Sequence, residues 1–419
     1  MPNRPMVPTR LGAALTSVLV VALALVLAVP AAAPIDARGK PPRATPTPMP
    51  DPSTLADVSI FGAWHCSDDY CTWDRVRDTG PGEDFDEMNH WLIDRDPSGA
   101  PGDPSVNLVV LSFVNPLTLQ TRVTVDNGQV TSNPLAGVPV GMTQEIVDYF
   151  RAADIRVMLS IGGITYVDDW NAALAMGGYD LGLKAAAVAS ALGVGIEIDY
   201  EENTEPNLLE LEEFIKAYRT VHEYDPTGAD PQVRDSRGLL ASEGLLTIDV
   251  AAGDRWLIAL NRKATADWLR TADHPEGQDP TIALNWANAM VPGRQPSVDK
   301  AIANWQEHVD GKPQYAPPVP PLAPAKFTGG LYVAEGSQVR PECTDFAASL
   351  QAATETYVRT VGPNGAGTTS GMLGWMFWAA EKPSTRGVGT QPPNTCEGGM
   401  GVAATELGIS IPMPALRTR

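Results

Sequence analysis

Between Ala191 and Glu202 the chain reads ALGVGIEIDYEE, and this stretch limits the available folds more than any other. Val194, Ile196, Ile198 and Tyr200 alternate with Gly195, Glu197, Asp199 and Glu201. A period of two marks a strand with two unlike faces, so the three carboxylates share one face and the other is apolar. Like charges stacked along a strand repel one another and do nothing for stability. They shift their own proton affinities apart, which is what acid catalysis needs. A solvated strand face and an acidic metal site are the competing readings. The flanking apolar residues favour catalytic carboxylates.

Seven other stretches read as strands: 58–64, 106–114, 155–161, 245–251, 282–291, 328–333 and 372–378. The run at 106–114 (VNLVVLSFV) is nearly all apolar, as expected of a strand covered on both faces. Helical spacing appears after Thr143, which can cap, with Ile146, Val147, Phe150 and Ala153 on one side. It recurs over 172–192, broken at Gly177-Gly178, and over 208–221, 298–309 and 346–361. Segments 66–104 and 222–243 read as long loops, 118–140 as a polar excursion with a hairpin, and 311–324 as a proline-rich loop. The run 256–260 (WLIAL) is a competing strand candidate without a fixed place.

Strands alternating with helices predict an α/β fold with a parallel sheet. Eight such units predict a (β/α)8 TIM barrel with long loop insertions. In such a barrel the chemistry sits at the C-terminal strand ends, where Asp199 and Glu201 fall. The alternative is an open doubly wound sheet, but no glycine-rich phosphate loop succeeds the first strand.

The chain of 419 residues has a formal net charge of −20, which argues against a nucleic-acid partner and is compatible with a neutral or cationic one such as a polysaccharide. Arg4 and Arg10 precede an uncharged run over 11–29 and then Ala31, Ala32 and Ala33. Residues 1–33 therefore read as an export signal, or as a retained N-terminal anchor. Residues 34–52 form a Pro-rich linker, which leaves 53–419 for the barrel. Cys66, Cys71, Cys343 and Cys396 are an even set in a chain expected to be exported, so disulfides are expected. Cys66 with Cys71 and Cys343 with Cys396 is one pairing; others stay open. No zinc-site spacing accompanies them. No Ser-His-Asp triad can be ordered from five histidines, and Asp249, ending the fifth strand, is a further candidate polar group.

Gly195-Ile196-Glu197-Ile198-Asp199-Tyr200-Glu201 resembles the D-G-x-D-x-D-x-E signature of glycoside hydrolase family 18, the chitinase-like enzymes. Ser160-Ile161-Gly162-Gly163 is similar to the family's S-x-G-G element, and Thr165-Tyr166 and Asp169-Trp170 resemble the family's residues just after that element. Trp286-Ala287-Asn288-Ala289-Met290 resembles its sixth-strand pattern W-x-N-x-M, and Trp378 its eighth-strand tryptophan. The resemblance covers about residues 55 to 385, and the motifs fall in the family's order.

The resemblance implies retaining, substrate-assisted hydrolysis of β-1,4-linked N-acetylglucosamine glycans, without a metal or cofactor, by a monomer. It makes Glu201 the general acid and base, Asp199 the partner of the substrate acetamide, and Glu197 a relay to Asp199. Sugar contacts fall to Trp378, Ser160, Tyr200 and Met290. The chain departs from the pattern at Val194, which stands where the signature has its first Asp, and at Glu197, one methylene longer than the second. It also has Val291-Pro292-Gly293 where the family often has x-Tyr-Asp. A barrel that binds such carbohydrate without efficient cleavage is the alternative, and another polysaccharide hydrolase on the same fold a third reading.

Overall fold

Eight parallel strands close into a barrel: β1 (Ile60–Cys66), β2 (Leu108–Val114), β3 (Arg156–Gly162), β4 (Gly195–Asp199), β5 (Leu246–Ala251), β6 (Ala287–Met290), β7 (Phe327–Gly330) and β8 (Gly374–Phe377). Each pairs with its neighbours in sequence order, and β8 closes the ring on β1. The structure, a computed structural model, describes residues 60–67, 106–224, 235–251, 256–269, 280–290, 297–323, 326–330 and 373–377. All of them lie in one unit, Thr47–Arg419. The described helices are α1 (Pro116–Arg122), α2 (Gln144–Ala152), α3 (Val167–Met176), α4 (Gly178–Leu192), α5 (Leu208–Val221), α6 (Ile258–Lys263) and α7 (Val298–Asp310). Strands alternating with helices around a closed parallel sheet make this a (β/α)8 barrel.

Pleating divides the apolar residues between two cores. Val157, Leu159, Ile161, Ile196 and Ile198 face outward, into a cluster that includes Leu181, Leu192, Leu211 and Phe214 of the helices. Ile60, Trp64, Leu108, Val110, Met158, Leu245, Trp286 and Met376 fill the barrel interior. The odd-numbered set on β4, Gly195, Glu197 and Asp199, therefore points inward. The predicted division of faces is the one observed.

Helix ends obey local chemistry. Thr143 Oγ1 accepts from the Ile146 N–H at 3.3 Å to start α2, and Asn207 Oδ1 accepts from Glu210 at 3.3 Å to start α5. The predicted break at Gly177-Gly178 separates α3 from α4, with Gly177 at φ 131°.

Three local expectations change. In the 118–140 excursion, Pro116 at the first turn and Asn115 as cap start α1 instead, and the hairpin shrinks to Val125–Asp126 with Gln129–Val130 around Asn127-Gly128, both at positive φ. The 256–260 run becomes the start of α6, because Leu257 adopts a left-handed conformation and its N–H donates to Asn203 Oδ1 at 2.8 Å. The strand expected from 282 begins at Ala287, since Pro280–Ile282 forms a 3₁₀ turn and Leu284 bridges Leu269.

The expected helix at 346–361, the 1–33 and 34–52 segments, and Cys71, Cys343 and Cys396 lie outside the described residues, as does the Cys66 side chain. Among the described residues no helix is long and apolar enough to cross a membrane.

Candidate active site

Register sets polar residues of neighbouring strands side by side at successive levels inside the barrel. Ser160 of β3 lies opposite Glu197 of β4, and Glu197 opposite Thr247 of β5. Gly162 lies opposite Asp199, Asp249 opposite Asn288 of β6, and Asn288 opposite Thr328 of β7. Gly162 and Asp199 end their strands on the C-terminal side, where a barrel of this type carries its chemistry, and Glu197, Thr247, Asn288 and Thr328 lie deeper along theirs.

Glu197 is fully buried, and N–H groups from two other strands hold its carboxylate. Trp64 Nε1 donates to Oε1 at 2.8 Å, and Asn288 Nδ2 donates to Oε2 at 2.5 Å. The Asn288 amide is itself fixed, since its Oδ1 accepts from Trp286 Nε1 at 2.9 Å and from Thr328 Oγ1 at 2.7 Å. Burial raises the Glu197 proton affinity, and its hydrogen bonds oppose that rise.

Asp199 is 3% exposed, and its Oδ1 has no hydrogen-bond partner among the described residues. Burial, then the charges of Glu201 and Glu197, push its carboxyl well above the usual carboxylate range. Asp249 is 1% exposed and is raised well above that range by burial and by the charges of Glu197 and Asp199. Glu201, just past the end of β4 and 7% exposed, adds its charge to both. The structure thus gathers four carboxyls, and no described cation pairs with Glu197, Asp199 or Asp249. So dense a cluster binds its protons more tightly than separate carboxyls would, and it favours positive charge developing in front of it.

The backbone around the cluster is equally determined. Gly162 ends β3 at φ 120°, where a Cβ would stand 2.0 Å from the Asp199 carbonyl oxygen and 2.2 Å from Trp170 Nε1. That indole donates to the Ile161 and Asp199 carbonyls at 3.2 and 3.1 Å, and the Gly163 N–H donates to Asp199 O at 2.9 Å.

Of the other residues singled out in the sequence, Ser160 is buried on the inner face beside Glu197. Tyr200 is not brought to the cluster: it faces the helices, its ring 5.4 Å from that of Trp170. Its hydroxyl donates to Asn171 Oδ1 and accepts from the Asn207 N–H at 3.1 Å, which secures the loop into α5. Met290 ends β6 half-buried, two residues beyond Asn288. Trp378 and Pro292 lie outside the described residues. Trp64 and Thr328 were not singled out in the sequence; their parity along β1 and β7 is the only sign that they face inward.

No family model and no curated protein matches the chain. Solved structures similar to it include catalytic domain 2 of the Group II chitinase of Ostrinia furnacalis, at 11% identity and a TM-score of 0.41, covering 84% of this chain and 98% of that one. A family 18 chitinase from Pseudoalteromonas aurantia is similar at 12% identity and a TM-score of 0.39, over 76% of this chain and 93% of the other. A fungal endo-β-N-acetylglucosaminidase of glycosyl hydrolase family 18 is similar at 14% and 0.34, over 71% and 86%. At these identities and scores the similarity assigns no activity to this chain.

Proposed function

We propose that this chain is a glycoside hydrolase of the family 18 type, cleaving β-1,4-linked N-acetylglucosamine glycans with retention. One observation carries the reading: Glu197 and Asp199 line the inner face of β4, which ends just before Glu201, in a barrel interior where no described cation pairs with them. Glu201 protonates the glycosidic oxygen as the bond to C1 breaks. The substrate's own acetamide oxygen closes on C1 and forms a cationic oxazolinium. Asp199 accepts the acetamide N–H and balances that charge. Glu201, now a carboxylate, takes a proton from the water that attacks C1 on the face the leaving group held and so opens the oxazolinium ring. Glu197 holds Asp199 in place, and the coupled carboxyls titrate as one unit. Trp378, Ser160 and Met290 belong to the proposal as sugar contacts. Export directed by residues 1–33, and action as a monomer, belong to it as well.

Fluorogenic chitooligosaccharides test the reading. The purified protein turns them over, and Glu201→Gln lowers kcat by roughly 10²–10⁴-fold, the usual worth of a general acid. Undiminished turnover in that variant removes Glu201 from its role. Val194 and the Val291-Pro292-Gly293 segment favour the alternative of a binding barrel. That alternative is the result if the native protein binds the oligosaccharide without cleaving it.

A further inference from the structure

Asp249 is a carboxyl to which the hydrolytic scheme gives no task. It stands on the inner face of β5, 1% exposed and paired in register with Asn288. The carboxyls of Glu197, Asp199 and Glu201 act on it from β4 and its end, and its neighbour in hydrogen-bonding reach is Glu197. Its Oδ1 has no hydrogen-bond partner among the described residues. Two buried carboxyls in contact cannot both stay ionised, so they share a proton. Counting donors locates it. Glu197 already receives N–H groups from Trp64 and Asn288 on its two oxygens, and a proton there would compete with them. Among the described residues no N–H donates to the Asp249 carboxyl, so the proton belongs to Asp249.

We infer that Asp249 is a positioning residue of this site, a neutral acid that donates a hydrogen bond to Glu197 and fixes the carboxylate against which Asp199 is set. Glu197 is then held from three strands: β1 through Trp64, β6 through Asn288 and β5 through Asp249. The pairing also accounts for the longer side chain on β4. Where the family 18 signature has Asp, Glu197 carries its carboxylate one methylene further across the interior, towards β5 and β6.

The kinetic part of this inference rests on the proposed glycosidase activity; the protonation state does not. Infrared difference spectra of the whole protein at pH 7 are expected to show a protonated-carboxyl carbonyl band that Asp249→Asn removes. An unchanged band overturns the assignment whether or not the protein hydrolyses glycans. On chitooligosaccharides, Asp249→Ala is expected to lower kcat roughly 10- to 100-fold with KM little changed, the effect of losing a hydrogen bond to a charged acceptor. Asp249→Asn, which offers an N–H in the same place, is expected to recover most of that loss. An asparagine variant as slow as the alanine one overturns the positioning role, and being nearly isosteric it keeps the test readable if the alanine variant does not fold. Native protein without turnover overturns the glycosidase reading and leaves the infrared result to stand alone.

Discussion

At Glu197 a carboxylate fully removed from water is stabilised by fixed N–H dipoles, and each donor has a second hydrogen bond or a tight core around it. The consequence is local and measurable. Asn288→Ala removes one donor from a buried carboxylate and strands the Trp286 indole N–H and the Thr328 hydroxyl. It should therefore cost about 3 kcal/mol in denaturant unfolding, and a loss within error of zero contradicts the network. The raised carboxyls give a second prediction. Asp199 and Asp249 bind protons more tightly folded than unfolded. Their contribution to stability is complete below the ordinary carboxylate pKa and is lost as pH rises through the raised folded values. Denaturation midpoints should fall towards alkaline pH, and Asp199→Asn should flatten that fall; an unaltered slope contradicts the shift. That Glu197 and Asp199 share a face was legible, because alternation along one strand is a local property. Their partners were not, since Trp64 and Asn288 lie 133 and 91 positions from Glu197 and only barrel closure brings them together.

Among the elements, the junction of β3, β4 and α3 is the most constrained. Gly162 reads in the sequence as the end of a strand before a turn, and its positive φ bears that out. Its closeness to the β4 backbone became visible only with the strands in register. Gly162→Ala therefore combines an unfavourable φ with backbone overlap at Asp199, for an expected loss of about 2–4 kcal/mol and of any activity. Melting within a degree of the parent contradicts it. The α5 helix shows the opposite limit of sequence reading. Its bounds, Leu208–Val221, follow from apolar spacing, whereas nothing in that spacing marks Arg219 as buried. In the structure its guanidinium donates to Ala283 O, Gly244 O and Asn285 Oδ1 at 2.7–2.9 Å, pinning α5 to the segments that lead into β5 and β6. The run that starts at Trp256 reads as a strand candidate because its composition suits either state. One left-handed residue, Leu257, decides it.

Over the whole molecule, the architecture was legible because eight buried strands repeat with helices between them. That count survives errors of several residues at single boundaries, such as the late start of β6. Closure of the ring turns separate strand faces into one interior, where the Glu197 carboxylate of β4 meets donors from β1 and β6. Such an interior suits a reaction that passes through a cation. Proton NMR of the first sugar product released from a chitooligosaccharide decides between mechanisms. The β-anomer, formed ahead of mutarotation, is the expected result of acetamide attack opposite the leaving group and then water on the face the leaving group left. The α-anomer contradicts this chemistry.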